Sequence, residues 1–417
     1  MTHDDGFAAV LARAEALDAA DPLAAHRLAF VAHDDVVAYL DGNSLGRPLV
    51  ATRDRLVGFV EEDWGHRLIR SWDEGWMAAP TELGDAIGRI AIGAAPGQTV
   101  VADSTTVLLY KLVRAAVDAQ PHRDELVVDT ENFPTDRFVV EGIAAERGLT
   151  LRWIEPDPAG GVTLEAVRAV VGPRTALVLL SHVAYKSGAI ADLAGITAAV
   201  HETGALVAWD LCHSAGAVPV ELDAAGADLA VGCTYKYLNG GPGSPAFAYL
   251  ARRHHGRLRQ PIHGWMGASE VFAMAPAYEP APGIAQLISG TPPIVGMLAL
   301  RDSLPLIERA GMPAIRAKSL ALTGFAIEIA DAQLARYGVE LATPREPAVR
   351  GGHVLLEHPA FCDIVPALWR RGVIPDFRHP KGLRVGLSPL STSFVEVAIG
   401  MRAIAEELAA RAEPTTA

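Results

Sequence analysis

The chain has 417 residues, half of them hydrophobic and a fifth charged, with 36 Lys and Arg against 49 Asp and Glu for a formal net charge of −13. That length suffices for two domains around a substantial core, and the composition excludes a disordered chain. The acidic balance without a Lys/Arg cluster argues against a nucleic-acid partner, and the lack of about 18 uninterrupted apolar residues argues against a membrane span. Three cysteines (Cys212, Cys233, Cys362) give neither a disulfide framework nor a zinc spacing, and the first residues are acidic, unlike a secretory leader, so a cytoplasmic protein is expected.

Taken in chain order, the periodicity predicts a helix over about 7–19, closed by Asp21-Pro22. Residues 37–46 read as a short strand entering a glycine-bounded turn that carries Asn43 and Ser44; turn chemistry alone accounts for these polar groups. Residues 64–80 read as a loop with Trp64, Trp72 and Trp76, aromatics that plug a core or an interface more often than they stack on a ligand. Ser104, Thr105 and Thr106 stand before an apolar-periodic helix reaching about 119. Hydroxyls there serve as N-caps, or join the helix N–H groups in a phosphate cradle, and the segment alone leaves both readings open.

Strands and helices then alternate: strands at 125–129, 150–154, 175–180 and 206–210, helices at 138–147, 163–171 and 193–203, with 132–136 as a loop. Such alternation with short connections predicts an α/β fold whose sheet is largely parallel and covered on both faces. No G-x-G-x-x-G follows the first strands, which disfavours a dinucleotide fold. The strand at 206–210 ends in Asp210, with His213 three residues on. A second apolar run, Leu229-Ala230-Val231, leads into GCTYKYLNGGPGSPA over 232–246, setting Lys236 where a strand gives way to a glycine loop.

Reacting groups of α/β proteins sit at such strand ends. A carboxylate and a lysine on neighbouring ones suit pyridoxal 5'-phosphate (PLP), whose aldehyde needs an amine for a Schiff base and whose ring nitrogen needs an acid to stay protonated. A buried Asp–Lys ion pair without cofactor is the competing account. Beyond a last strand near 248–251, residues 261–293 read as an ordered surface loop, 294–335 as one long connecting helix, and 338–411 as a smaller α+β domain with strands near 339–341, 352–356 and 383–385, a turn before the last of these, and helices at 362–371 and 394–411.

Several separated segments together resemble the kynureninases, PLP enzymes of the fold-type-I aminotransferase superfamily: YLDGNSLG (39–46), LIRSW (68–72), NFPTD (132–136), DLCHSAGAVPVEL from Asp210, GCTYKYLNGGPG from Gly232, GTPPI (290–294), and GVIPDFR with GLRVG (372–386). The resemblance implies hydrolysis of L-kynurenine or 3-hydroxykynurenine to anthranilate or 3-hydroxyanthranilate and L-alanine, a step of tryptophan catabolism by the kynurenine pathway, which leads to NAD biosynthesis. It implies a homodimer with shared active sites, and a chain divided into an arm (1–45) joining the small domain, a large PLP domain (46–300), and a connector with the small C-terminal domain (301–417). It further implies roles: Lys236 carries PLP, Asp210 pairs with its ring nitrogen, His213 helps fix it, Phe133 stacks on the ring, and Asp136 joins its hydrogen-bond network. Thr105, Thr106 and Tyr235 bind the phosphate, Trp265 and Thr291 reach in from the partner subunit, and Arg384, with Asn43 and Ser44, takes the substrate. Tyr235 either donates a proton to Cβ or only holds the phosphate.

The chain departs from the family pattern at His263 and Ala268 around Trp265, at Ala184, and at Ser391. A related cysteine desulfurase or lyase is the alternative, with Cys362 as nucleophile, although its place at the head of an apolar helix predicts a buried thiol. A binding or scaffold protein that kept only the fold is the other.

Overall fold

A computed structural model describes residues 3–412. The N-terminal helix His3–Ala20 is followed by a short strand, β1 (Ala38–Tyr39). Seven further strands form the large sheet: β2 (Thr99–Ala102), β3 (Glu125–Asp129), β4 (Thr150–Ile154), β5 (Thr175–Ser181), β6 (Leu206–Asp210), β7 (Leu229–Gly232) and β8 (Ala246–Leu250). Their order is β2-β8-β7-β6-β5-β3-β4, parallel throughout except that β8 runs against both of its neighbours.

Successive side chains on a strand point to opposite faces, so a doubly covered sheet needs apolar residues at every position. Val127 and Val178 belong to one buried cluster, with Val167, Ile196 and Val200 from helices on that face. Their neighbours Leu126, Val128, Leu177 and Leu179 belong to another, with Leu108, Leu112, Val140 and Ile143 from helices Thr105–Asp118 and Pro134–Arg147. Each fully buried Val or Leu contributes about 1.5–3 kcal/mol, which makes these two layers the main source of stability.

A smaller antiparallel sheet, ordered β12-β13-β10-β9, is built from β9 (Glu340–Leu341), β10 (His353–Glu357), β12 (Asp376–Arg378) and β13 (Gly382–Gly386), while β11 (Val373–Ile374) pairs in parallel with β1. Phe7 and Ala14 of the first helix share a buried cluster with Val397, Met401 and Ile404 of the last helix, Phe394–Ala412. The N-terminal segment therefore packs with the C-terminal part of the chain.

Several local expectations are corrected. Residues 59–76 are not a loop but a run of irregular helical turns, where Trp72 and Trp76 meet edge-on at 5.2 Å and pack on the large core while Trp64 stays exposed. The connecting helix is broken into Ile294–Met297, Leu300–Ala310 and Met312–Ile329, the last break falling at Gly311, whose φ of 76° no helix contains. The expected turn before 383 contains β11 and β12, and β2 was not anticipated, because strands of two to four residues leave too little alternation to see. Cys362 is exposed, not buried: Phe361, Ile364, Val365 and Leu368 form the inner face of helix Phe361–Arg370, and position 362 falls off that stripe.

Candidate active site

β6 ends at Asp210 and β7 at Gly232, and their parallel register sets Asp210 opposite Val231, so the loops leaving both strands start side by side. Asp210 is buried, its Oδ1 accepting the Cys212 N–H at 2.7 Å. The Lys236 loop is folded by the Asn239 N–H donating to the Lys236 carbonyl (2.9 Å) and the Gly240 N–H to that of Thr234 (2.8 Å). The turn after β1 lies directly on it: the Gly46 N–H donates to the Tyr235 carbonyl at 2.8 Å. A Cβ at position 46 would stand 2.4 Å from the Lys236 carbonyl oxygen, so glycine is required there.

These loops enclose a cavity of about 160 Å³ lined by Thr105, Thr106, Phe133, Asp136, Asp210, His213, Tyr235 and Lys236. Eight residues scattered over 132 positions of sequence are thus brought to one place. Lys236 Nζ lies 3.2 Å from His213 Nε2. Burial, reinforced by the Lys236 charge, holds the His213 pKa well below the usual imidazole range, so a neutral ring accepts the lysine's hydrogen. Asp136 is wholly buried, and burial followed by the adjacent Asp210 pushes its carboxyl well above the ordinary range. Asp136 therefore keeps a proton next to Asp210, and its Oδ2 has no hydrogen-bond partner among the described residues.

Phe133 stands with its ring centroid 5.7 Å from Lys236 Nζ. Its N–H donates to Asn132 Oδ1 at 2.8 Å, and the same oxygen accepts from Ser181 Oγ at 2.7 Å, which fixes the loop. At the start of helix Thr105–Asp118, Ser104 caps the Val107 N–H (3.4 Å), leaving the hydroxyls of Thr105 and Thr106 on the cavity wall at the positive end of the helix dipole. Burial raises the Tyr235 pKa, so its phenol stays protonated. A helix start for an anion, an acid pair for a cationic ring nitrogen and an amine for a carbonyl together fit PLP, and the orphaned Asp136 oxygen is accounted for by a ligand in the cavity.

The other anticipated residues lie outside this lining. Arg384, in β13, is buried and donates from Nε to Asp376 Oδ2 (2.8 Å), from one terminal nitrogen to the Tyr185 carbonyl (2.6 Å), and from the other to Ser44 Oγ (2.9 Å) and Asp376. Asn43 is fully buried, with neither side-chain polar atom partnered among the described residues. Trp265 and Thr291 are exposed, the former edge-on to Phe272 at 6.2 Å. Sequence reasoning missed Thr135, Cys212, Cys233, Ser244 and Ala246 in the lining, each next to a strand or helix end already recognised, while Ser104, which caps the helix, lines the cavity as well. It also missed Asp376 and Asn132, which act on neighbours rather than on the cavity. Of the departures from the family pattern, His263 stacks on Tyr278 at 4.4 Å, and Ser391 is buried with its hydroxyl unpartnered among the described residues.

Residues 315–404 match the family "Kynureninase C-terminal domain", and residues 87–348 match "Aminotransferase class-V". The chain is 45% identical to a kynureninase of Pseudomonas fluorescens over 92% of this chain and 91% of that one. It is 44% identical to a kynureninase of Burkholderia pseudomallei (strain 1106a), with the same coverage. Among solved structures it resembles an apo cysteine desulfurase from Thermococcus onnurineus NA1 (TM-score 0.77, 20% identity, 89% of this chain and 95% of that one). It also resembles a C-DES mutant with glycine covalently linked to its PLP cofactor (TM-score 0.78, 18% identity, 89% and 96%). At such identities the structural likeness speaks for the fold alone, a fold-type-I PLP-enzyme architecture, whereas the sequence relatives decide the family. The chain belongs to the kynureninase family.

Proposed function

We propose that this protein hydrolyses L-kynurenine, or its 3-hydroxy derivative, to anthranilate, or 3-hydroxyanthranilate, and L-alanine by cleaving the Cβ–Cγ bond, with PLP as cofactor. The observation that carries the reading is the meeting of Lys236, Asp210, Asp136 and the Thr105–Thr106 helix start in one buried cavity of a chain 45% identical to a kynureninase. When bound, PLP supplies an electron sink conjugated to the substrate's Cα.

In this reading Thr105, Thr106 and Tyr235 would hold the phosphate, Phe133 would pack on the ring, and Asp210, with the protonated Asp136 next to it, would pair with the ring nitrogen. Lys236 would carry the cofactor; as a free amine it is the base for the substrate's Cα proton, its hydrogen bond accepted by the neutral His213. Water adds to the side-chain ketone, the Cβ–Cγ bond breaks, and Tyr235, protonated at neutral pH, is the donor to Cβ.

Arg384 binds the substrate carboxylate. Asp376 occupies the Nε side of the guanidinium, so the edge left for a bidentate partner is the one now facing the Tyr185 carbonyl and Ser44. Asn43, buried and unpartnered, completes that subsite. Trp265 and Thr291, exposed on this chain, serve the partner's cavity in a homodimer; the exposed Val60, Trp64, Leu68 and Ile69 suit such an interface. The division at 45 and 300 belongs to the same proposal, with the helix Leu300–Ala310, which leans on the large core, as the start of the connector. Three free cysteines accord with a cytoplasmic location.

The desulfurase alternative takes Cys362 as its nucleophile, and Cys362 lies on the outer side of a helix and outside the cavity lining; the thiols that do line the cavity, Cys212 and Cys233, are buried at the ends of β6 and β7. Incubation with L-kynurenine is expected to give anthranilate and alanine in equal amounts. Transamination products, or sulfide from cysteine with no anthranilate, reject the assignment.

A further inference from the structure

The most deeply buried cation of the large domain is not in the cavity. Lys111 has no exposed surface, an arrangement that costs free energy unless the ammonium is fully met. Its side chain runs back toward the N-terminus of helix Thr105–Asp118, as helical side chains do, and donates to Asp103 Oδ2 at 2.5 Å and to the Leu287 carbonyl at 2.5 Å. Ser289 Oγ donates to the same Asp103 oxygen at 3.3 Å. Asp103 stands two residues before Thr105 in a left-handed backbone conformation (φ 41°), and its carbonyl accepts the N–H of Ala246, a cavity residue.

An anion-binding helix start immediately preceded by an aspartate is an electrostatic contradiction, because the carboxylate repels the phosphate that the helix dipole attracts. We propose that Lys111 is a positioning residue for the cofactor phosphate: it cancels the charge of Asp103 beside the Thr105–Thr106 cradle and ties that cradle to the segment running through Ser289 to Thr291. The proposal rests on the reading of the cavity as a PLP site. It assigns the buried lysine a task that neither helix propensity nor core packing explains, since a methionine would fill the same volume at lower desolvation cost.

The test uses apoprotein titrated with PLP and, separately, with pyridoxal, which has the aldehyde and ring but no phosphate; binding is followed by absorbance and fluorescence. Lys111→Met is expected to weaken PLP binding about tenfold and to leave pyridoxal binding unchanged. Adding Asp103→Asn to that variant is expected to restore PLP affinity, a recovery that a merely structural lysine would not show. Equal PLP affinity of Lys111→Met and wild type, or equal losses for PLP and pyridoxal with no recovery, overturns the role. Should Lys111→Met fail to fold, Asp103→Asn alone decides: PLP affinity equal to or tighter than wild type supports the proposal, and weaker binding overturns it. Wild-type protein that binds neither compound overturns the cavity reading itself, and the role of Lys111 with it.

Discussion

Lys236→Ala is expected to lower turnover of kynurenine by about 10⁴-fold, the scale of a lost general base, while the protein keeps its fold and still binds PLP through the phosphate cradle. The side chain leaves the lining of an existing cavity, so the substitution adds open volume rather than a new void in the packed layers. Its hydrogen bond to His213 is lost, but burial keeps that ring neutral, so His213 is not left as an unpaired charge. Two readouts separate the chemical from the structural effect: thermal unfolding should be little changed, and small primary amines added to the variant should restore part of the rate by standing in for the missing base. A variant that turns over near the wild-type rate contradicts the assignment.

Arg384→Gln is expected to reduce kcat/KM by about 10²- to 10³-fold, mostly through KM, since a charge-assisted bidentate contact to the substrate carboxylate is worth several kcal/mol once buried. Arg384→Lys should recover little, because an ammonium cannot present the planar fork. The same variant has a stability signature. Asp41 is held near a pKa of about 6, first by burial and then by Asp376, with Arg384 acting in the opposite direction. A carboxyl raised in the folded state contributes stability that is fully present below its unfolded pKa and is lost as pH rises through about 6. Removing Arg384 raises it further and leaves Asp376 with Arg378, 2.9 Å away, as its remaining cation. The loss of stability in Arg384→Gln should therefore be larger at neutral pH than near pH 5, as read by thermal unfolding at both. A pH-independent loss, or an unchanged KM, goes against the account.

The parts of this molecule that the sequence makes legible are those governed by period and by strand ends. Alternation of apolar strands and amphipathic helices sufficed for the sheet, because residues such as Val127 and Val128 must both be apolar when they face different buried layers. Asp210 and Lys236 stood out because each follows an apolar run, and β6 and β7 are indeed neighbours.

Contacts that fall between elements were out of reach. Asp376 meets Arg384 only because β12 pairs antiparallel with β13, setting the two residues opposite each other, and a three-residue strand carries no readable pattern. Lys111 looks like any polar residue on an amphipathic helix until Leu287 arrives from 176 positions away to meet it and Ser289 from 186 positions away to meet its partner Asp103. The irregular helical turns of 59–76 have no periodic face for pattern reasoning to find, and Gly311 interrupts a run whose apolar spacing is otherwise continuous.

One covalent bond, from Lys236 to the cofactor, decides the assignment of the site. Protein loaded with PLP, reduced with borohydride, digested and analysed by mass spectrometry should carry the pyridoxyl group on the peptide containing Lys236; a group found on Lys186 or another lysine, or on no lysine at all, would contradict it.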